Sequence, residues 1–196
     1  MKSLDNLIIK NKNIIFRADL NVPVMDGKIT DYSRINSIIP SINKLLENNN
    51  KIFIISHFGR PKGKVIKKYS LKFLCNELKV ILKKDKIHFL ENFADISIKN
   101  KIEEMKDGEI CLFENIRFNP EEEINDLNFG KNISSYFDYF VNDAFSASHR
   151  NHSSIVGLPN FLPALAGISF MNEINNLDNF LNKPQKPNIA IIGGSK

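Results

Sequence analysis

Short, continuous apolar runs separated by segments of helical period constrain this chain more than any other feature. Five of them lie at 13–17 (NIIFR), 51–56 (KIFIIS), 86–90 (KIHFL), 109–113 (EICLF) and 138–141 (DYFV). A sixth lies at 188–192 (NIAII). Apolar runs of this length without polar alternation suit strands covered on both faces, the usual state of a parallel sheet. Between the first two, Ile35, Ile38, Ile39, Ile42, Leu45 and Leu46 share one face of a helix expected over 31–48. Pro40 inside it should kink or restart that helix, because it lacks an N–H and crowds the preceding turn. A second helix is expected over 70–82 with Ser70 as N-cap, and a third, less regular, over 121–137. Strands alternating with helices predict βαβ units joined by right-handed crossovers.

The fold class that follows is α/β, a parallel sheet flanked by helices in a three-layer, Rossmann-like arrangement. Residues 1–168 read as one domain. A helix-like stretch, 169–181, and the proline-punctuated 183–187 (KPQKP) then form a connecting helix and linker over 169–186. Residues 187–196 read as the first strand and glycine-rich loop (Gly193-Gly194-Ser195-Lys196) of a second domain that is absent from the chain. No transmembrane segment is expected, since the longest apolar stretch, 161–171, contains Pro163 and is far short of the ~20 residues a span requires. Cys75 and Cys111 belong to no metal-spaced or paired pattern and read as isolated thiols in a reducing, cytoplasmic setting. No metal ligand set is expected from these residues.

Charge needs more care. The formal net charge is +5, and 22 Lys, 26 Asn and 28 Ile among 196 residues mark a bias spread over the whole chain. The lysine-rich stretches 62–68 and 83–86 lack interleaved aromatics and read as solvated surface, so no nucleic-acid partner is expected. Arginine is scarce: Arg17, Arg34, Arg60, Arg117 and Arg150 are all there are. Four of them, with His57, His149, His152, Asp19 and Asn21, follow strand candidates directly or open the next helix. In a parallel sheet those positions share the carboxyl edge, where open α/β folds bind ligands. Taken singly, Asp19 and Asn21 read as turn formers, His57 as a structural histidine, and Arg34 and Arg117 as surface charges. Glu121, Glu122 and Glu123 read as a solvated helix start. Together, the arginines form a cationic rim whose planar guanidinium forks suit phosphate or carboxylate. The ligand class is a small, highly anionic molecule. Lys196 after two glycines suggests phosphate contact but lacks the spacing of a Walker A loop.

Six blocks together carry a family resemblance: RADLNVP at 17–23, DGKITDYSRI at 26–35, SHFGRPKG at 56–63, ENIRF at 114–118, VNDAF at 141–145 with His149-Arg150, and IIGGSK at 191–196. In this order, and through nearly the whole chain, they resemble phosphoglycerate kinase, a two-lobed family of about twice this length. The resemblance implies reversible phosphoryl transfer between ATP and the carboxylate of 3-phosphoglycerate, giving 1,3-bisphosphoglycerate and ADP in glycolysis. It implies that Asp19 and Asn21 bind the hydroxyl and carboxylate end, and that Arg34 stabilises the phosphoryl group in flight. His57, Arg60, Arg117 and Arg150 would hold the substrate phosphate. Gly194, Ser195 and Lys196 would belong to the nucleotide loop, with Lys196 following the transferring phosphate, and Arg17 would make structural ion pairs. Mg2+ with ATP or ADP would be bound mainly by the missing lobe, so this chain alone is expected to bind 3-phosphoglycerate weakly, to be monomeric and to be inactive. Ser146-Ala147-Ser148 departs from the family pattern and leaves the local loop shape open. The alternative reading is a stand-alone anion-binding module without catalysis.

Overall fold

The computed structural model describes residues 2–182 together with 184, 186, 187, 189 and 191. Among these residues eight strands and six α-helices follow in the order β1 (Asn13–Ala18), β2 (Val24–Met25), β3 (Lys28–Ile29), α1 (Ser33–Leu46), β4 (Lys51–Ile55), α2 (Leu74–Ile81), β5 (His88–Leu90), α3 (Asp95–Glu104), β6 (Ile110–Phe113), α4 (Pro120–Glu123), α5 (Leu127–Ser134), β7 (Tyr139–Asp143), β8 (Ala164–Ala166) and α6 (Ile168–Asn182). Six strands make one sheet in the order β5-β6-β4-β1-β7-β8, every pair parallel. The fold class is the one the apolar runs predict.

Successive strand residues point to opposite faces, and both faces are sealed. Ile14, Phe16, Ile52, Ile54, Ile110, Leu112 and Val141 face one core with Ile35, Ile38 and Ile42 of α1 and Leu74 and Leu78 of α2. Ile15, Phe53, Ile55, Cys111, Phe113 and Phe140 face the other, with Ile98 of α3, Ile133 of α5 and Leu158. Connections leave β1 towards β4 and β7 towards β8, in opposite directions along the sheet. The crevice between the carboxyl ends of β1 and β7 is therefore a topological switch point, the place where such sheets take ligands.

Several local expectations change. Helix α1 runs through Pro40 without a break. Ser70 does not cap α2, which starts four residues later; its hydroxyl donates to Glu114 Oε2 (2.6 Å). The third expected helix is two. Asn125 takes a left-handed backbone (φ 55°) between α4 and α5, and the Asp126 carboxylate accepts from Phe129 N (2.8 Å) to start α5 afresh. Helix α3, strand β8 and the β2–β3 hairpin arise where no element was expected. The hairpin turns on Asp26 and Gly27, both at positive φ, as a two-residue turn of matching twist requires. The expected strand at 188–192 lies largely outside the described residues.

Where α6 begins, the chain is tightly fixed. The Asp143 carboxylate accepts from Ser41 Oγ (2.6 Å) and Phe170 N (2.8 Å), while Ser41 Oγ accepts from Ile168 N (2.8 Å). A Cβ on Gly167 would overlap the Asp143 carboxylate itself. Gly167→Ala should therefore lower stability by about 1–3 kcal/mol, the usual range for overpacking. An unchanged urea midpoint would show that the junction relaxes freely.

Candidate functional site

The carboxyl ends of β6, β4, β1 and β7 are neighbours, and each releases its chain into a rim loop. Ser56 ties two of these loops together: its hydroxyl donates to Ala18 O (2.9 Å) and accepts from Leu20 N (2.9 Å). Asn115, fully buried, ties a third. Its Nδ2 donates to Phe58 O (2.7 Å) and Tyr69 O (2.9 Å), and its Oδ1 accepts from Arg117 N (3.1 Å) and Phe58 N (3.3 Å). Gly59 sits at φ +61° with the Tyr69 ring where a Cβ would be. Its N–H donates to Asn21 Oδ1 (2.9 Å) and its carbonyl accepts from Arg117 Nη1 (3.0 Å). A side chain at position 59 would have to displace the Tyr69 ring and keep a left-handed backbone.

Within this frame the expected residues fall into two groups. His57, Arg117 and Arg150 form the first, with Arg60 at its edge. Arg150 is close enough for its charge to act on Arg17, His57 and Arg117, and Arg60 acts on Arg117. Burial pushes the Arg117 guanidinium down from its usual range, and Arg150 pushes it further. Its Nε and Nη2 are buried without a hydrogen-bond partner among the described residues, Glu123 Oε1 lying 3.5 Å from Nε. Burial, then Arg17 and Arg117, drive His57 down to about 2, so its imidazole is neutral at physiological pH.

Asp19 and Arg34 form the second group. The Asp19 carboxylate accepts from Arg34 Nη1 and from Ser146 Oγ. Burial works against ionisation there, but Ser146, the Arg34 charge and hydrogen bond, and Asn21 N hold Asp19 below the usual carboxylate range. Arg34 keeps 43% of its side chain exposed. A cavity of about 510 Å³ opens beside it, lined by Asp19, Arg34, Ser37 and Ser146 from the rim and by Ser169 and Glu173 from α6. Asn21 bridges the groups through Gly59, its Nδ2 making no hydrogen bond among the described residues.

A family model for phosphoglycerate kinase matches residues 4–196. The chain belongs to the phosphoglycerate kinase family. Over its whole length it is 43% identical to a phosphoglycerate kinase of Orientia tsutsugamushi and 42% identical to one of Coprothermobacter proteolyticus. It covers 48% and 50% of those proteins, so it spans about half the length of the curated relatives it matches. The solved phosphoglycerate kinase of Coxiella burnetii superposes with a TM-score of 0.84 at 36% identity, over 99% of this chain and 48% of that one. That of Pyrococcus horikoshii gives 0.85 at 30% identity, over 95% and 47%.

Some parts of this rim were not foreseen. Arg17, expected in structural ion pairs, reaches no carboxylate directly among the described residues; it is buried behind His57, bonded to Ser154 and Ala18. Glu122, expected in solvent, is 0% exposed. Burial opposes its charge, but His152, Arg17 and Ser154 outweigh that and hold it below the usual carboxylate range. Ser146, from the triplet that departs from the family pattern, bonds Asp19. His149 is exposed and His152 half-buried. Gly194, Ser195 and Lys196 lie outside the described residues. Among the described residues, no group of three His, Cys, Asp or Glu side chains could hold a metal ion, and no helix is long and apolar enough to cross a membrane.

Proposed function

We propose that this chain is the 3-phosphoglycerate-binding part of a phosphoglycerate kinase. The carrying observation is Arg117: a buried cation with idle N–H groups, beside neutral His57 and the cation Arg150, is a site made for a phosphate. Arg60 adds charge at its edge. Asp19 and Asn21 take the hydroxyl and carboxylate end, and Arg34 lies at the open cavity where the reacting carboxylate would sit. That carboxylate, with an ordinary pKa near ~3.5, is ionised at neutral pH and requires no general base. The chain's part in the reaction is then to orient the acceptor and to stabilise charge as the phosphoryl group arrives.

A magnesium nucleotide supplies that group in this reading. Arginine and histidine side chains crowded at the phosphate end do not suit a hard cation that prefers oxygen ligands, so in this reading magnesium is held elsewhere than at the phosphate end. We assign the nucleotide to Gly194, Ser195, Lys196 and to residues beyond those present here, with 1–168 as the substrate lobe, 169–186 as the connecting helix and 187–196 as the start of the second lobe. The chain alone would then be a cytoplasmic monomer that binds 3-phosphoglycerate and turns nothing over.

Thermal unfolding with and without 3-phosphoglycerate tests this. Ligand at about 100 times its dissociation constant should stabilise the chain by about 2.7 kcal/mol. Arg34→Ala and Arg150→Ala should remove the shift, and Lys64→Ala, at an exposed position, should keep it. A shift that survives both arginine changes overturns the site, and turnover by the purified chain in a coupled assay overturns its inactivity.

A further inference from the structure

Behind His57 lies a buried relay that the substrate roles above leave unused. Glu122 accepts from Ser154 N (2.8 Å) and Ser154 Oγ (2.6 Å), with His152 Nδ1 3.5 Å from Oε1. A hydroxyl has one proton, and here it goes to Glu122, so the Ser154 oxygen is left to accept from Arg17 Nε (3.0 Å). The rest of the Arg17 fork is used as well: Nη1 donates to Ala18 O (2.5 Å), and Nη2 lies 3.3 Å from His57 Nδ1. Guanidinium only donates. His57 Nδ1 must therefore be the accepting nitrogen, and the single ring proton sits on Nε2.

We propose that Glu122 and Ser154 are positioning residues that hold Arg17 so that His57 offers Nε2–H, and not a lone pair, to an anion bound at Arg117. The need for this follows from charge. His57 stays neutral among cations, so its contribution to an anion depends on its tautomer. The Nε2–H form donates a hydrogen bond to a phosphate oxygen, whereas the Nδ1–H form turns a lone pair towards it. His57 Nε2 makes no hydrogen bond among the described residues, which leaves its proton for the ligand. Glu122 does this without touching the ligand: its charge offsets that of buried Arg17, and Ser154 fixes the angle of the fork. The functional part of this inference rests on the 3-phosphoglycerate reading; the tautomer does not.

The test uses 15N-histidine spectra of the ligand-free chain, with His57 assigned by the resonances lost in His57→Gln. The native chain should show one His57 tautomer, protonated on Nε2, with Nδ1 shifted as a hydrogen-bonded acceptor. Ser154→Ala and Glu122→Gln should move Nδ1 towards its unbonded position and populate Nδ1–H, while Glu121→Gln should change neither. Affinity for 3-phosphoglycerate, measured by calorimetry, should fall about tenfold in Ser154→Ala. Should Glu122→Gln not fold, Ser154→Ala decides. A folded Ser154→Ala chain with native His57 resonances overturns the relay, whatever its affinity. Native spectra as described, with no 3-phosphoglycerate binding, would instead keep the relay and overturn the proposed function.

Discussion

Arg117→Met is expected to leave the ligand-free chain at least as stable as the native one and to remove nearly all stabilisation by 3-phosphoglycerate. Native Arg117 spends Nη1 on Gly59 O, while Nε and Nη2 are buried without hydrogen-bond partners among the described residues, the Glu123 carboxylate lying 3.5 Å from Nε. A desolvated cation next to Arg150 and Arg60 burdens the empty site, because burial removes water from the charge and both cations repel it, with Glu123 and Glu122 offsetting only part of that. Methionine keeps much of the stem's volume and removes the charge. Gly59 O loses one partner, which works in the other direction. With ligand the balance reverses, since two charge-assisted hydrogen bonds at about 1.5–3 kcal/mol each would be missing. A hundredfold loss of affinity is the conservative expectation. At a ligand concentration of about 100 native dissociation constants, the native chain gains about 2.7 kcal/mol and the variant about 0.4 kcal/mol. In melting temperature that is a rise of about 5–11 °C against about 1–2 °C. An undiminished ligand shift would place the phosphate elsewhere, and a large fall in the ligand-free melting temperature would make Arg117 a structural residue.

The rim was legible in the sequence because it depends on strands whose signal is local. Ile14, Ile15 and Phe16, or Ile52 to Ile55, are apolar at every position, which only a strand covered on both faces accommodates. Once such strands are parallel, the residues after them share an edge whatever the strand order. Other elements lack a local signal of that kind. Strand β8 is Ala-Leu-Ala, three residues at the sheet edge, and its pairing with β7 depends on the intervening chain. Helix α3 carries Ile98 as its only fully buried side chain, so its apolar stripe is too thin to read. The break between α4 and α5 does have a local signal, an Asn-Asp pair suited to a left-handed turn and an N-cap. Glu122 is the opposite case. Three successive glutamates at a helix start describe a solvated end, and what buries the middle one is Ser154, 32 residues later, together with the charge of Arg17. A buried charge exists because of its partners, and partners distant in sequence leave no pattern around it.

Asn115→Ala is expected to lower stability by about 3 kcal/mol or more, a fall of roughly 6–12 °C in melting temperature, and to weaken 3-phosphoglycerate binding as well. The side chain is fully buried, and its amide ties three segments at once: the loop after β4 at Phe58, the turn ending at Tyr69, and the turn that carries Arg117. Alanine leaves Phe58 N, Phe58 O, Tyr69 O and Arg117 N without this partner and too enclosed for water to replace it fully. The effect on binding follows from the same contacts. Gly59 is adjacent to Phe58 and receives Arg117 Nη1, so releasing Phe58 moves the carbonyl that aims the guanidinium. The two variants thus differ in kind. Arg117→Met should separate binding from stability, because the cation is a burden until an anion arrives, whereas Asn115→Ala should lower both, because the amide holds the frame whether or not the site is filled. Chemical unfolding of the two chains, each with and without 3-phosphoglycerate, gives four midpoints. A fall in ligand-free stability for Arg117→Met equal to that for Asn115→Ala would mean that the arginine belongs to the frame, and the assignment of its idle N–H groups to a phosphate would go with it.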